Sequence, residues 1–139
     1  MSGTVFAASF VALYVGHMVG DHVVQTDWQA VHKAGKGRNA FHAMTMHVLT
    51  YTLTQAVALW AVFLVVPFNF YAMYPALGFS AATHAFIDRR WPVQWLLRRT
   101  GSANFASLAS GGMNGPYLTD QTLHIGCLFV AALILGGLS

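Results

Sequence analysis

Glutamate is absent from these 139 residues, aspartate occurs four times, and charged side chains of every kind make up 8% of the chain against 56% hydrophobic. A typical soluble domain carries about 25% charge, so this chain cannot surround itself with a water-facing surface. The single cysteine, Cys127, excludes an internal disulfide; inside an apolar stretch it reads as a small packing residue. No Lys or Arg stands in Met1 to Thr4, so the charged start of a secretory signal is missing and the first apolar stretch reads as a retained span. The length suits one domain, and residues 1–139 read as a single unit.

What is present is apolar length. Mean hydropathy is +0.54, and about 20 apolar residues cross a bilayer as a helix. Four windows qualify: Thr4 to about Gln25, Phe41 to Val66, Phe68 to Asp88 and Tyr117 to Leu138. The expected fold is all-α, an integral membrane four-helix up-and-down bundle, with the second and third helices joined by the tight, uncharged turn Val66-Pro67-Phe68-Asn69. All seven Lys and Arg residues fall at 33–38 and 89–99, the pattern of anchors beside spans and not of a nucleic-acid surface. The positive-inside rule places both basic connections in the cytoplasm and both termini outside. That describes a multi-pass protein of a bacterial cytoplasmic (inner) membrane. In the third connection, Trp91, Trp95, Leu96 and Leu97 beside Arg98 and Arg99 read as a short interfacial helix started by Pro92. Gly101 to Gly115 reads as flexible loop.

Three of the four aspartates stand four residues from a histidine: His17 with Asp21, His84 with Asp88, and Asp120 with His124. On a helix this spacing stacks the two side chains on one face. In the expected topology all three pairs lie at cytoplasmic helix ends, each aspartate nearer water and each histidine about 6 Å deeper. The reversed order in the fourth helix suits its opposite direction. His47 in the second helix matches that depth, so every helix brings an imidazole to one level. An ionisable group within a span costs about 2.5–3.5 kcal/mol on insertion scales and normally faces the interior. Imidazole with carboxylate suits a divalent metal, zinc first, with manganese or iron as alternatives. The expected ligands are His17, His47, His84, His124, Asp21, Asp88 and Asp120, either as a two-metal site or as one metal with Asp-His pairs behind it. The alternative for each pair is a hydrogen-bonded Asp-His bridge holding helices in register without an ion.

Gln25, eight residues after His17 on the same face, and Gln121 beside Asp120 are candidates to bind substrate or orient a carboxylate. Gly16 and Gly20 form a small-xxx-small pair that permits close helix approach. Thr50 and Thr54 are expected to bond their own helix, and Asp27 to cap a short helix from Trp28 to Lys33. His22, about 100° around the helix from Asp21, and His32, in a loop, fall outside the expected site.

The elements Gly16-His17 through Asp21, Gln25-Thr26-Asp27-Trp28, Lys33, His47, His84 with Ile87-Asp88, and Asp120-Gln121 with His124 resemble a family of small bacterial and phage membrane proteins known only as a domain of unknown function. The likeness runs from residue 16 to 124, with His22 where an aromatic residue is expected, and implies no activity. More distantly, the chain is similar to small inner-membrane proteins described as metal-dependent hydrolases.

The expected function is therefore a membrane-embedded metal-dependent hydrolase, with Asp21, Asp88 and Asp120 as catalytic carboxylates. Lys33, Arg38, Arg89 and Arg90 near the mouth suit an anionic substrate such as a phosphate-bearing lipid, with Lys33, Arg89, Gln25 and Gln121 as the substrate-binding set. The alternatives are an ion, proton or divalent-metal transporter, or a metal-stabilised structural subunit. Beyond the lipid bilayer and a small-molecule or lipid substrate, homo-oligomerisation is the one partnership that so small a bundle suggests.

Overall fold

The computed structural model describes residues 2–139 and is all-helical apart from one two-residue hairpin. Helix α1 (Gly3–Val19) starts where the Ser2 hydroxyl accepts from the Val5 N–H, and continues without a break into a π-helical turn at Gly20–Val24. The short α2 (Asp27–His32) precedes the longest helix, α3 (Arg38–Phe63). After the turn, a 3₁₀ segment at Phe70–Ala72 leads into α4 (Met73–Ile87), followed by α5 (Trp91–Arg99) and α6 (Ala103–Ala106). The antiparallel hairpin β1 (Ala109–Ser110) and β2 (Met113–Asn114) then opens into α7 (Gly115–Gly137), where the Asn114 side chain accepts from Tyr117 N–H and Pro116 sits in the first turn.

Three helical stretches are long and apolar enough to cross a membrane: Gly3–Val24, Arg38–Phe63 and Gly115–Gly137. At about 1.5 Å per residue the α-helical part of the third expected span, α4 with its 15 residues, reaches only about 22 Å against a hydrocarbon core of about 30 Å. The expected window began at Phe68, but Asn69 caps Tyr71 and winds the first residues as 3₁₀. Two other expectations are corrected. Asp27 is not the cap of α2: Thr26 accepts from Gln29 N–H while the Gln29 side chain accepts from Thr26 N–H, a full capping box. The 101–115 segment is not featureless loop either. It contains α6 and the hairpin, which turns at Gly111 and Gly112, both at positive φ, and is closed by Gly115 N–H donating to Leu108 O.

Helix α1 packs against α3 and α7, while α4 packs against α7 and α3. Ser2 N–H donates to Gly136 O at 2.9 Å and Asn69 Nδ2 donates to Leu138 O at 3.1 Å, so the start of α1, the end of α7 and the α3–α4 turn share one end. That half holds the main apolar core, with Leu13, Leu59, Ala76, Leu128, Ala131 and Leu135 among its buried residues. A smaller core under α5 joins Ile87, Val93 and Leu97 to Cys127, which packs as expected. The outer surface is also apolar: Val11, Val15, Leu49, Val57 and Trp60 are exposed, and Leu53 is 64% exposed. Contiguous exposed apolar surface of this kind marks a membrane or partner-facing side.

Gly16 and Gly20 let α1 approach α3. A methyl group on Gly16 would stand 2.9 Å from Gln55 Cα, and one on Gly20 would stand 2.9 Å from Thr54 Oγ1. The gap is bridged by Thr54 Oγ1 donating to Gly16 O at 3.0 Å. Gly16→Ala is therefore expected to destabilise the protein by about 1–3 kcal/mol, because backbone on the far side cannot retreat cheaply. Gly126→Ala, whose methyl meets nothing within 4 Å, should be neutral or stabilising by up to about 1 kcal/mol. Thermal melts in detergent compare the two; equal melting temperatures would contradict the close-approach role of Gly16.

Candidate metal centre

At the end of the molecule opposite Ser2, each of the four principal helices contributes one histidine. His17 comes from the last turn of α1, His47 from the third turn of α3, His84 from the last turn of α4 and His124 from the early turns of α7. All four are at most 2% exposed. Their rings meet: His17 and His124 centroids are 5.1 Å apart, His84 and His124 4.5 Å, and His47 and His84 5.0 Å. The expected convergence at one depth is what the structure has. His42, by contrast, lies exposed against Trp28, and His32 stacks on the same indole.

The carboxylates arrive by different routes. Asp88 caps the end of α4 one turn after His84, as the i, i+4 spacing implies. Asp21 sits in the π-helical turn, where Gln25 N–H reaches back five residues to Gly20 O. Such turns rotate the following side chains relative to an α-helix and recur at functional sites. Asp21, still in α-helical register with His17, faces α3 and α4 as well as its own histidine: Oδ1 lies 3.1 Å from His47 Nε2 and 3.4 Å from His84 Nε2, while Oδ2 lies 3.6 Å from His17 Nδ1.

Four atoms share one small volume. His47 Nε2 and His84 Nε2 are 2.9 Å apart, and Asp88 Oδ2 is 3.1 Å from each. With the two distances to Asp21 Oδ1, five edges of the tetrahedron these atoms define measure 2.9–3.4 Å. Ligands 2.0–2.1 Å from a tetrahedral zinc stand about 3.3 Å from one another. Asp21 Oδ1 is buried without a hydrogen-bond donor of its own. Two imidazole lone pairs cannot face each other at 2.9 Å unless a proton or a cation joins them. The donor set and the unpartnered Asp21 oxygen fit a metal ion, and this buried His/Asp group can hold one.

Beside it lies a second group of His17, Asp21 and His124, with a third formed by Asp88, Asp120 and His124. His124 Nδ1 donates to the Asp120 backbone carbonyl at 2.9 Å, which leaves Nε2 with its lone pair and no partner. Gln121 Nε2 donates to Asp120 Oδ2, so its Oε1 accepts from His17 Nε2 at 3.1 Å, and His17 Nδ1 is left free and buried. His47 Nδ1 and His84 Nδ1 have no partner; the His84 ring is set by stacking on Tyr51, with centroids 3.6 Å apart.

Lys33 occupies an unexpected place. The expectation set it at the mouth for an anionic substrate, but its stem folds inward from the end of α2, and it is only 7% exposed. Its Nζ stands 2.7 Å from Asp88 Oδ2 and 3.1 Å from His47 Nε2. The cluster thus contains its own cation. Above it opens a cleft of about 470 Å³, with Asp21, Lys33 and Asp88 in its floor. Gln25, Asp120 and Gln121 line it. Arg89 does not; the neighbouring Arg90 does, because the chain reverses there with Arg90 at φ 64° and its guanidinium donating to Ala30 O at 3.0 Å. Arg38 is exposed at the start of α3 and does not line the cleft. His22 also lines the cleft, bonded through Nε2 to Tyr117 Oη at 2.8 Å.

Sequence reasoning passed over the layer beneath the histidines. Ser80 Oγ donates to Gln55 Oε1 at 2.7 Å, and Gln55 Nε2 donates to Tyr51 Oη at 2.9 Å; all three residues are buried. The signal was there, since His47, Tyr51 and Gln55 follow one another at four-residue intervals on one face of α3.

A family model described as a protein of unknown function (DUF3307) matches residues 9–139. No curated protein and no solved structure matches the chain.

Removing one partner of a buried ion pair leaves the other charge uncompensated, at a cost of about 3–5 kcal/mol. Lys33→Met is accordingly expected to lower the melting temperature in detergent with chelator present, and added zinc should recover much of the loss by supplying the missing cation at Asp88. A Lys33→Met protein that melts like wild type in chelator would show that the ion pair carries no such burden.

Proposed function

We propose that this chain, which belongs to the DUF3307 family of proteins of unknown function, is a membrane-embedded metal-dependent hydrolase. The observation that carries the reading is the set of four ligand atoms from Asp21, His47, His84 and Asp88, 2.9–3.4 Å apart along five edges, with the two carboxylates in the floor of an open cleft and the two imidazoles buried beneath it. Zinc fits best, with manganese or iron as substitutes of the same charge.

The host architecture in this reading is a bundle of four membrane-crossing helices, α4 completing its passage through the 3₁₀ segment before it. It lies in a bacterial inner membrane with both termini outside and the basic residues at the cytoplasmic face. Support comes from the three long apolar helices, the apolar outer surface, and the placement of α2, α5 and every Lys and Arg at the cleft end. The Trp91, Trp95, Arg98 and Arg99 side chains on α5 suit a helix lying at the lipid headgroups.

A divalent ion held here supplies Lewis acidity, acidifying water and polarising a scissile bond. The protein's own groups do the rest. Asp21 and Asp88 hold the ion with His47 and His84, and Lys33 fixes the Asp88 carboxylate. Asp120 lines the cleft and remains 21% exposed, which leaves it free to take a proton from the attacking water. Arg90, Gln25 and Gln121 face the same cleft and offer donors to an anionic group such as the phosphate of a lipid or lipid-linked substrate. The apolar core around Leu13, Leu59 and Leu128 closes the interior beneath the Tyr51–Gln55–Ser80 layer, which favours a site served from one side over a transport path.

Wild-type protein purified in detergent should contain zinc by elemental analysis and hydrolyse a phosphate-bearing lipid from a mixed panel. His84→Ala is expected to lose both metal and turnover. Asp120→Asn should keep the metal and slow turnover by about 10²–10⁴-fold, the share of a general base. Protein that takes up no metal even after incubation with zinc would end the proposal.

A further inference from the structure

We infer that the chain binds a second divalent ion, held by His17 Nδ1, His124 Nε2 and the Asp21 carboxylate, beside the first and joined to it through Asp21. The inference rests on the hydrolase reading's first site. It follows from three observations, of which the free nitrogens of His17 and His124 are not used by that reading.

The first is the lone pairs. His17 Nδ1 and His124 Nε2 are buried nitrogens without a hydrogen-bond partner, and the bonds made by the opposite ring nitrogens explain why each is unprotonated. His124 donates its Nδ1 proton to a backbone carbonyl, and His17 donates its Nε2 proton to Gln121. This outer bond is the arrangement that metal-bound histidines usually have. One ligand atom from each of His17, Asp21 and His124 lies within 4.8 Å of the other two.

The second is the way Asp21 is shared. Its two oxygens point to different histidines, Oδ1 to His47 and His84 and Oδ2 toward His17. A carboxylate used on both sides bridges two ions, and paired ions about 3.5–4 Å apart clamp the attacking and leaving oxygens of a displacement.

The third is charge. Asp21, Asp88 and Asp120 share the cleft with two cationic side chains, the Lys33 ammonium paired to Asp88 and the Arg90 guanidinium. One divalent cation outweighs the single carboxylate in excess and leaves the cleft ready for an anion. A second ion leaves positive charge that an anion entering the cleft neutralises, so an anionic substrate and the second ion support each other's binding. Gln121 becomes a positioning residue: it presents no ligand, but it fixes the His17 tautomer and ties it to Asp120.

The test uses full-length protein in detergent, titrated with manganese. Expected are two ions per chain by elemental analysis after desalting in the presence of inorganic phosphate, and an exchange-coupled paramagnetic resonance signal. His17→Ala should hold one ion and give an uncoupled six-line signal. Gln121→Leu should weaken the second ion by about 10–100-fold, the usual effect of losing an outer partner, and it keeps the question answerable if His17→Ala fails to fold. Phosphate should raise affinity for the second ion and leave the first nearly unchanged. Wild type that binds one ion with no coupled signal overturns the second site and leaves the hydrolase reading standing. Wild type that binds none overturns both.

Discussion

The structure depends on two aspartates placed among buried imidazoles in the floor of the cleft. Asp21 and Asp88 approach the same pair of imidazoles, and like charges in such a setting are tolerated only if cations are brought to them. Lys33 is recruited from outside the helices for this reason, its aliphatic stem buried so that the ammonium reaches Asp88. The same demand explains why one histidine from each principal helix turns inward. Each removes a polar group from the apolar exterior and offers it to the common cluster.

This polarity pattern is the inverse of a water-soluble protein's. Leucine, valine and tryptophan cover much of the outside of α1 and α3, while histidine, aspartate, glutamine, tyrosine and serine fill half of the inside. The other half is conventional core. The division falls across the helices and not along them, so one end holds the apolar core and the other the polar cluster. Hydroxyl groups within the helices are mostly quenched by their own carbonyls, as at Thr50, Thr52 and Thr83. The polar groups that remain available therefore concentrate at the cleft.

Much of this was legible in the chain because helices convert spacing into direction. His17–Asp21, His84–Asp88 and His47 needed only helical periodicity and alternating direction to be placed at one level, and all three helices long enough to span were visible as apolar windows. Residues outside regular helices were harder. Lys33 lies at the end of a six-residue helix whose path is set by packing on α3, and no local pattern says that it turns inward. Arg89 and Arg90 are neighbours, and the positive φ at Arg90 decides which of them enters the cleft. The run of small residues before Gly115 has the composition of a loop, yet a few backbone hydrogen bonds give it a defined shape.

The π-helical turn at Gly20–Val24 separates two jobs that one helix performs. A π-turn accommodates one residue more than the α-helix it interrupts, and here it comes after the contact at Gly16 that docks α1 on α3. A chain one residue shorter in this turn could wind on as an ordinary helix. Gly16, His17 and Asp21 would keep their places, while Gln25 and the segment that carries Lys33 would turn by about 100°. The lining of the cleft is thus editable by a single deletion beyond the point where α1 docks on α3, so a shared shape among related chains need not mean a shared cleft.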